Sequence, residues 1–371
     1  MVAAFLPSLS VTPSAAAPTA QNLTCPTAVT LKELIICISG QMPVSNSEDF
    51  DVPTAAVVND WQTVVTQMLG GACDGIILPP TLSGVYTVST FSDTDNGQDY
   101  CVAMEVLDGD DDNVVDRGWG TFIINNSPLR NLSIDIVHPL HDSNTDDQGI
   151  ALFKQLDART FLMAGAHRHA NSVVSSCQSS FEQADVAHNV DNLFFATVEL
   201  IDGRYQTHGW AYTALQFHGM GVSSCPGVDV YLTHGMNDAP LASETIVSLR
   251  SNLAAAQPTW VVNVPGDTPG CTLHGTTNVE GRLLNGVTAA SVCTVAASSR
   301  SGRFIHIEQK FSHRSPAEWI GPLMATFPVD VTAVTLQQTQ IIAQEEAPLA
   351  LLAFILIAGL MTWRLVRRQS R

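Results

Sequence analysis

The chain has 371 residues, 35 Asp and Glu against 17 Lys and Arg, and a formal net charge of −18. Phosphate backbones are bound through a basic footprint, so this balance argues against nucleic acid as a partner. Aromatic residues are only 7% of the chain, which speaks against an aromatic sugar platform, and no glycine-rich nucleotide loop or GxSxG serine elbow occurs.

Residues 1–21 combine a short apolar run with small residues and read as a signal segment, although no Lys or Arg precedes Lys32. Residues 22–125 form a β-rich N-terminal region. It opens on a helix-like stretch, TLKELIICISG, and continues with turn-bounded strands GVYTVSTF and DYCVAMEVL. The acidic run Asp108, Asp110, Asp111 and Asp112 has Asn113 and Trp119 where a calcium loop needs glycine and glutamate, so it reads as a solvated turn.

From 126 to 330 strand and helix alternate. LSIDIVHP is a buried strand, and TDDQGIALFKQL places Ile150, Phe153 and Leu156 on one helical face with Asp146 and Asp147 in its first turn. The apolar runs TFLMAG, TALQFHGM, VDVYLTHG, TWVVNV and RFIHIE follow, with the helix ASETIVSLRSNLAAA among them. The alternation predicts an α/β fold with a mixed, mostly parallel sheet flanked by helices. Residues 331–346 read as a stalk. The uncharged stretch 347–363 has the length of a transmembrane helix, and Arg364, Arg367, Arg368 and Arg371 form a basic tail that stays cytoplasmic. The expectation is a single-pass protein of the cell membrane, held in the lipid bilayer by this helix, with its body extracytoplasmic.

Eight cysteines, none in a CxxC pair, fit an oxidising compartment. Pairing between neighbours predicts Cys73 with Cys101 and Cys271 with Cys293.

His138, His167, His218 and His234 fall at the carboxyl ends of predicted strands, where open α/β sheets bind ligands. Four such histidines converge on one rim. Imidazole and carboxylate suit a divalent metal, and a catalytic zinc takes three protein ligands and keeps one position open. His138 and Asp142 lie in one segment, with His141 as the rival of Asp142, and His218 arrives from a distant strand. These residues predict zinc, or another divalent cation, as cofactor.

The order of His138…Asp142, GAHRHAN, QFHGM, GVDVYLTHG and FIHIEQ resembles the N-formylglutamate amidohydrolases, which share the core of the zinc carboxypeptidases. The resemblance covers residues 131–314. It implies a phosphorylase/hydrolase-like fold, His218 as metal ligand and Glu308 as the catalytic carboxylate. His138-Pro139 stands where the family has PHSG, and the family's DLNR is reduced to Arg168 and Asn171. Arg168 offers a two-donor fork for a substrate carboxylate, with a salt bridge to Asp185 or Asp191 as its competing role. His167 and Asn171 are placed as substrate-positioning or ligand-orienting residues. His188 and His234 are weaker candidates, and His169, His208, His274, His306 and His313 are assigned structural or exposed roles.

The expected function is a membrane-anchored, extracytoplasmic, metal-dependent amidohydrolase or peptidase that cleaves an amide bond in a carboxylate-bearing substrate. The alternative is a non-catalytic surface binding or adhesion protein that retains the hydrolase fold.

Overall fold

The computed structural model describes residues 24–107 and 112–329. The expected signal segment, most of the acidic run, the stalk, the membrane span and the basic tail lie outside these residues. Among the described residues, no helix is long and apolar enough to cross a membrane.

Local signals set the helices. α1 (Leu31–Ser39) starts with a capping box: Thr30 Oγ1 accepts from the Glu33 amide, and the Glu33 carboxylate accepts from the Thr30 amide. It buries Leu31, Leu34, Ile35 and Ile38 on one face. α2 (Ala55–Leu69) is capped by Thr54 and buries Trp61, Val64, Val65 and Met68. The hairpin of β1 (Tyr86–Asp93) and β2 (Gln98–Glu105) is followed by β3 (Thr121–Ile124). Then come β4 (Arg130–Ile136), α3 (Thr145–Gln155), β5 (Ala158–Met163), α4 (Leu193–His208), β6 (Thr213–Met220) and β7 (Val230–Thr233). The described chain closes with α5 (Thr245–Ala256), β8 (Val262–Asn263), α6 (Val279–Leu284), β9 (Phe304–Lys310) and α7 (Pro316–Thr326).

The described strands form one nine-stranded sheet in the order β1-β2-β3-β5-β4-β6-β9-β7-β8. It is parallel at its centre, through β5, β4, β6 and β9, and again at one edge, where β7 pairs with β8. β3 joins β5 antiparallel, and β7 joins β9 antiparallel. The sheet is mixed, as expected, but four of its eight pairings are antiparallel rather than a minority, and the reason lies in the connections. Parallel neighbours need a crossover of a dozen or more residues, usually a helix. The β1–β2 turn is tight, and the segment 221–229 before β7 carries no helix, so β7 comes back in the opposite direction.

Two layers cover the sheet. Ile134, Ile136, Leu215, Phe217, Val230, Leu232, Ile305 and Ile307 pack against α1, α3, α5 and α7. On the other face α2, α4 and α6 cover Phe122, Ile124, Leu162, Ala214 and Phe304.

The disulfides are Cys25–Cys37, Cys73–Cys101, Cys177–Cys293 and Cys225–Cys271. The first neighbour pairing, Cys73 with Cys101, is present. The second, Cys271 with Cys293, is not, because folding brings segments distant in sequence together. Arg282 donates to the carbonyls of Val292 and Cys293, and Gln178 donates to the carbonyl of Thr277, so the two loops carrying Cys293 and Cys177 dock beside α6.

Candidate metal centre

In a strand every second side chain shares a face. The parallel register sets Asp135 beside Gln216, Gln216 beside His306, and His218 beside Glu308. The face opposite Ile134, Leu215, Phe217, Ile305 and Ile307 therefore carries a row of polar groups. His138 follows the end of β4. The chain then turns at once, with the Asp142 amide donating to the His138 carbonyl at 2.8 Å, which returns the Asp142 carboxylate to the His138 ring. Asn144, at φ 67°, makes the left-handed step into α3.

His138, Asp142 and His218 are buried, and their donor atoms lie within 4.8 Å of one another. His138 Nδ1 is 3.3 Å from Asp142 Oδ2, and His218 Nδ1 is 3.6 Å from the same oxygen. Each ring is held from behind by its other nitrogen. His138 Nε2 meets Asp185 Oδ1 at 3.0 Å, and Asp185 is itself bound by Arg168 Nη2 and by His188 Nδ1 at 3.0 Å. His218 Nε2 is 2.8 Å from Gln216 Oε1, an oxygen that also accepts from Asn278 Nδ2 at 2.5 Å. Because an amide oxygen can only accept, His218 Nε2 carries the proton and the neutral ring turns its Nδ1 lone pair towards Asp142. A carboxylate or amide oxygen behind a histidine is the arrangement that fixes tautomer and orientation in metal sites.

The electrostatics match this geometry. Burial works against a charged His138, but the Asp185 and Asp142 carboxylates prevail and raise it to about 9. Burial also opposes ionisation of Asp142 and Asp185, yet the His138 ring beside both holds them below the usual carboxylate range. Burial pushes His218 down to about 4 despite Asp142, leaving the neutral ring a metal requires. Burial, reinforced by Asp142, pushes Glu308 up to about 8.

Of the residues read from sequence, His138, Asp142, His218 and Glu308 share this pocket. His141 turns away. Its ring centre is 6.3 Å from that of His138, but 5.2 Å and 5.7 Å from His167 and His169, with which it forms a separate cluster. Arg168 is engaged with Asp185, the competing role it had in the sequence, and Asn171 Nδ2 donates to Gln183 Oε1 at 3.2 Å. His234 does not join the rim. Since β7 runs against β4, β5, β6 and β9, its carboxyl end lies at the opposite edge, where His234 Nδ1 meets the carbonyl of Phe304 at 2.9 Å.

Sequence reasoning missed four contributors. Gln216 and His306 each sit two residues before a recognised one, so strand alternation was the signal for both. Asp185 entered only as a partner for Arg168. Arg314 lies over Gly219, where any Cβ would collide with its guanidinium, and it donates to the carbonyls of Ser143 and Gln309. Its charge acts on both Asp142 and Glu308.

No family model and no curated protein matches the sequence. Among solved structures, the gene product Atu2144 from Agrobacterium tumefaciens is similar over 58% of this chain and 94% of its own, at 10% identity and a TM-score of 0.34. A metallo-carboxypeptidase from Pseudomonas aeruginosa, in complex with (2-guanidinoethylmercapto)succinic acid, is similar over 78% of this chain and 70% of its own, at 12% identity and a TM-score of 0.27. Both likenesses are distant, and the chemistry of the pocket rests on its own side chains.

Proposed function

We propose that the protein is a metal-dependent hydrolase of amide or peptide bonds. The observation that carries this reading is the buried His138, Asp142 and His218 group with Glu308 on the adjoining strand. The donor set fits a divalent cation of the zinc type: two imidazole nitrogens and one carboxylate face one another, and both rings are braced by their far nitrogens. Without a cation, the proton between His138 and two carboxylates balances the local negative charge. When bound, a divalent cation supplies Lewis acidity, polarising a carbonyl and acidifying water.

The chain's own groups account for the rest. Glu308, raised towards neutrality, takes a proton from water and returns it to the leaving nitrogen. The Arg314 guanidinium beside it offsets negative charge that develops during attack. Arg168, paired with Asp185, steadies the carboxylate that holds His138, and its remaining donors, with His167 and Asn171 in the adjoining loop, would face a substrate carboxylate. Four disulfides support work in an oxidising, extracytoplasmic setting, and the 347–363 stretch would anchor the body to the membrane.

Metal content and peptide hydrolysis, measured on the same preparations, test this reading. The native chain should hold zinc and cleave, His218→Ala should lose both, and Glu308→Gln should keep zinc and lose cleavage. Full hydrolysis in folded His218→Ala would sink it.

A further inference from the structure

The pocket contains a second set of donors, one of which, His306, has no role in this mechanism. His218, His306 and Glu308 are all buried, and their donor atoms again lie within 4.8 Å of one another. The His306 ring is 4% exposed, and its centre is 4.5 Å from that of His218. Its Nδ1 has no hydrogen-bond partner, and its Nε2 is 3.7 Å from Glu308 Oε1, too far for a hydrogen bond. Buried polar groups are almost always partnered, and this imidazole has an unpartnered Nδ1 while its Nε2 is turned to Glu308 at a distance that leaves room for a shared ligand. The ring is also held in place. Gly275 adopts φ 67°, and a Cβ there would lie 3.0 Å from the His306 ring, so the loop backbone presses directly on it.

We infer that the pocket holds its divalent cation at either of two overlapping positions, one formed by His138, Asp142 and His218 and the other by His218, His306 and Glu308. His218 is common to both. Gln216 holds one of its two nitrogens, so His218 serves one cation at a time and the positions are alternatives. The difference matters for chemistry. A cation at the second position occupies the Glu308 carboxylate and removes the base, whereas a cation at the first leaves it free. The inference rests on reading this pocket as a metal centre, and its test needs no substrate.

Zinc affinity and stoichiometry would be measured on the native full chain, on His138→Ala and on His138→Ala/His306→Ala, with circular dichroism to confirm folding. The native chain should bind about one zinc, and His138→Ala should still bind one through the second set. Adding His306→Ala should then weaken binding by more than the roughly 10–100-fold that loss of an outer-shell partner costs. Because His306 is buried, His138→Ala/Glu308→Gln supplies a second arm that preserves side-chain shape, and the same weakening is expected. Complete loss of zinc in folded His138→Ala would overturn the second position and leave the first standing, as would double variants that bind like His138→Ala. A native chain that binds no zinc would overturn the metal centre itself.

Discussion

The two faces of the central strands are buried to nearly the same degree and carry opposite chemistry. Ile134, Leu215, Phe217, Ile305 and Ile307 are 0% exposed, while Asp135, Gln216, His218, His306 and Glu308, alternating with them, are 0–8% exposed. The apolar face stabilises the fold in the ordinary way, through area removed from water and close packing. Phe217, for example, meets the Trp319 ring of α7 edge-on at 5.5 Å. The polar face works the other way. An unpaired buried polar atom costs about 1–3 kcal/mol, and Asp135 Oδ2 and His306 Nδ1 have no partner. One face of the central strands is thus apolar throughout, while the other combines an apolar layer under α2, α4 and α6 with the buried reactive groups.

Substitutions on the two faces should therefore separate stability from chemistry. Glu308→Gln should reduce hydrolysis by about 10²–10⁴-fold with the fold intact, measured as kcat on the zinc-loaded protein. On the other face, Phe217→Ala should cost about 3–5 kcal/mol in denaturant unfolding while the remaining folded protein binds zinc normally. If Phe217→Ala also abolished zinc binding at concentrations where it is folded, the faces would not be separable.

A third effect sharpens the contrast through pH. His138 is raised from 6.5 to about 9, so its contribution is fully present below pH 6.5 and is lost as pH rises through 9. Glu308, raised from 4.5 to about 8, acts in the same direction: the unfolded chain has already released this proton while the native state still holds it. The metal-free protein should accordingly lose on the order of 5 kcal/mol between pH 6.5 and 9, about 3 kcal/mol through His138 and about 2 kcal/mol through Glu308. The Glu308→Gln variant should lose less over the same range, and a melting temperature flat across it in both proteins would contradict the assignment. The smallest expected change is in Asp185→Asn, which should weaken zinc binding by about 10–100-fold without altering its stoichiometry, read by competition with a chelator.

Much of the fold was legible locally. The Thr30 and Glu33 capping box, the apolar faces of α3 and α5, and the runs that became β4, β5, β6 and β9 all depend on residues close in sequence. The His138 and Asp142 pair was legible for the same reason, since a single turn joins them. His218 entered the reading from its place at a strand end and Glu308 through the family resemblance, and the register of β6 and β9 then set them side by side.

The sequence by itself determined the helices α1, α3 and α5, the central strands, which strand positions share a face, and that eight cysteines were available to pair, while α2, α4, α6 and α7 were not read from it. Only the tertiary structure decided which strands are neighbours and in which direction each runs. Those choices removed His234 from the rim, gave Cys293 to Cys177, and brought Asp185, Gln216, His306 and Arg314 around the pocket. The physical reason is that helix and strand periodicity act over a few residues, whereas strand order is set by which buried surfaces fit together across the whole chain.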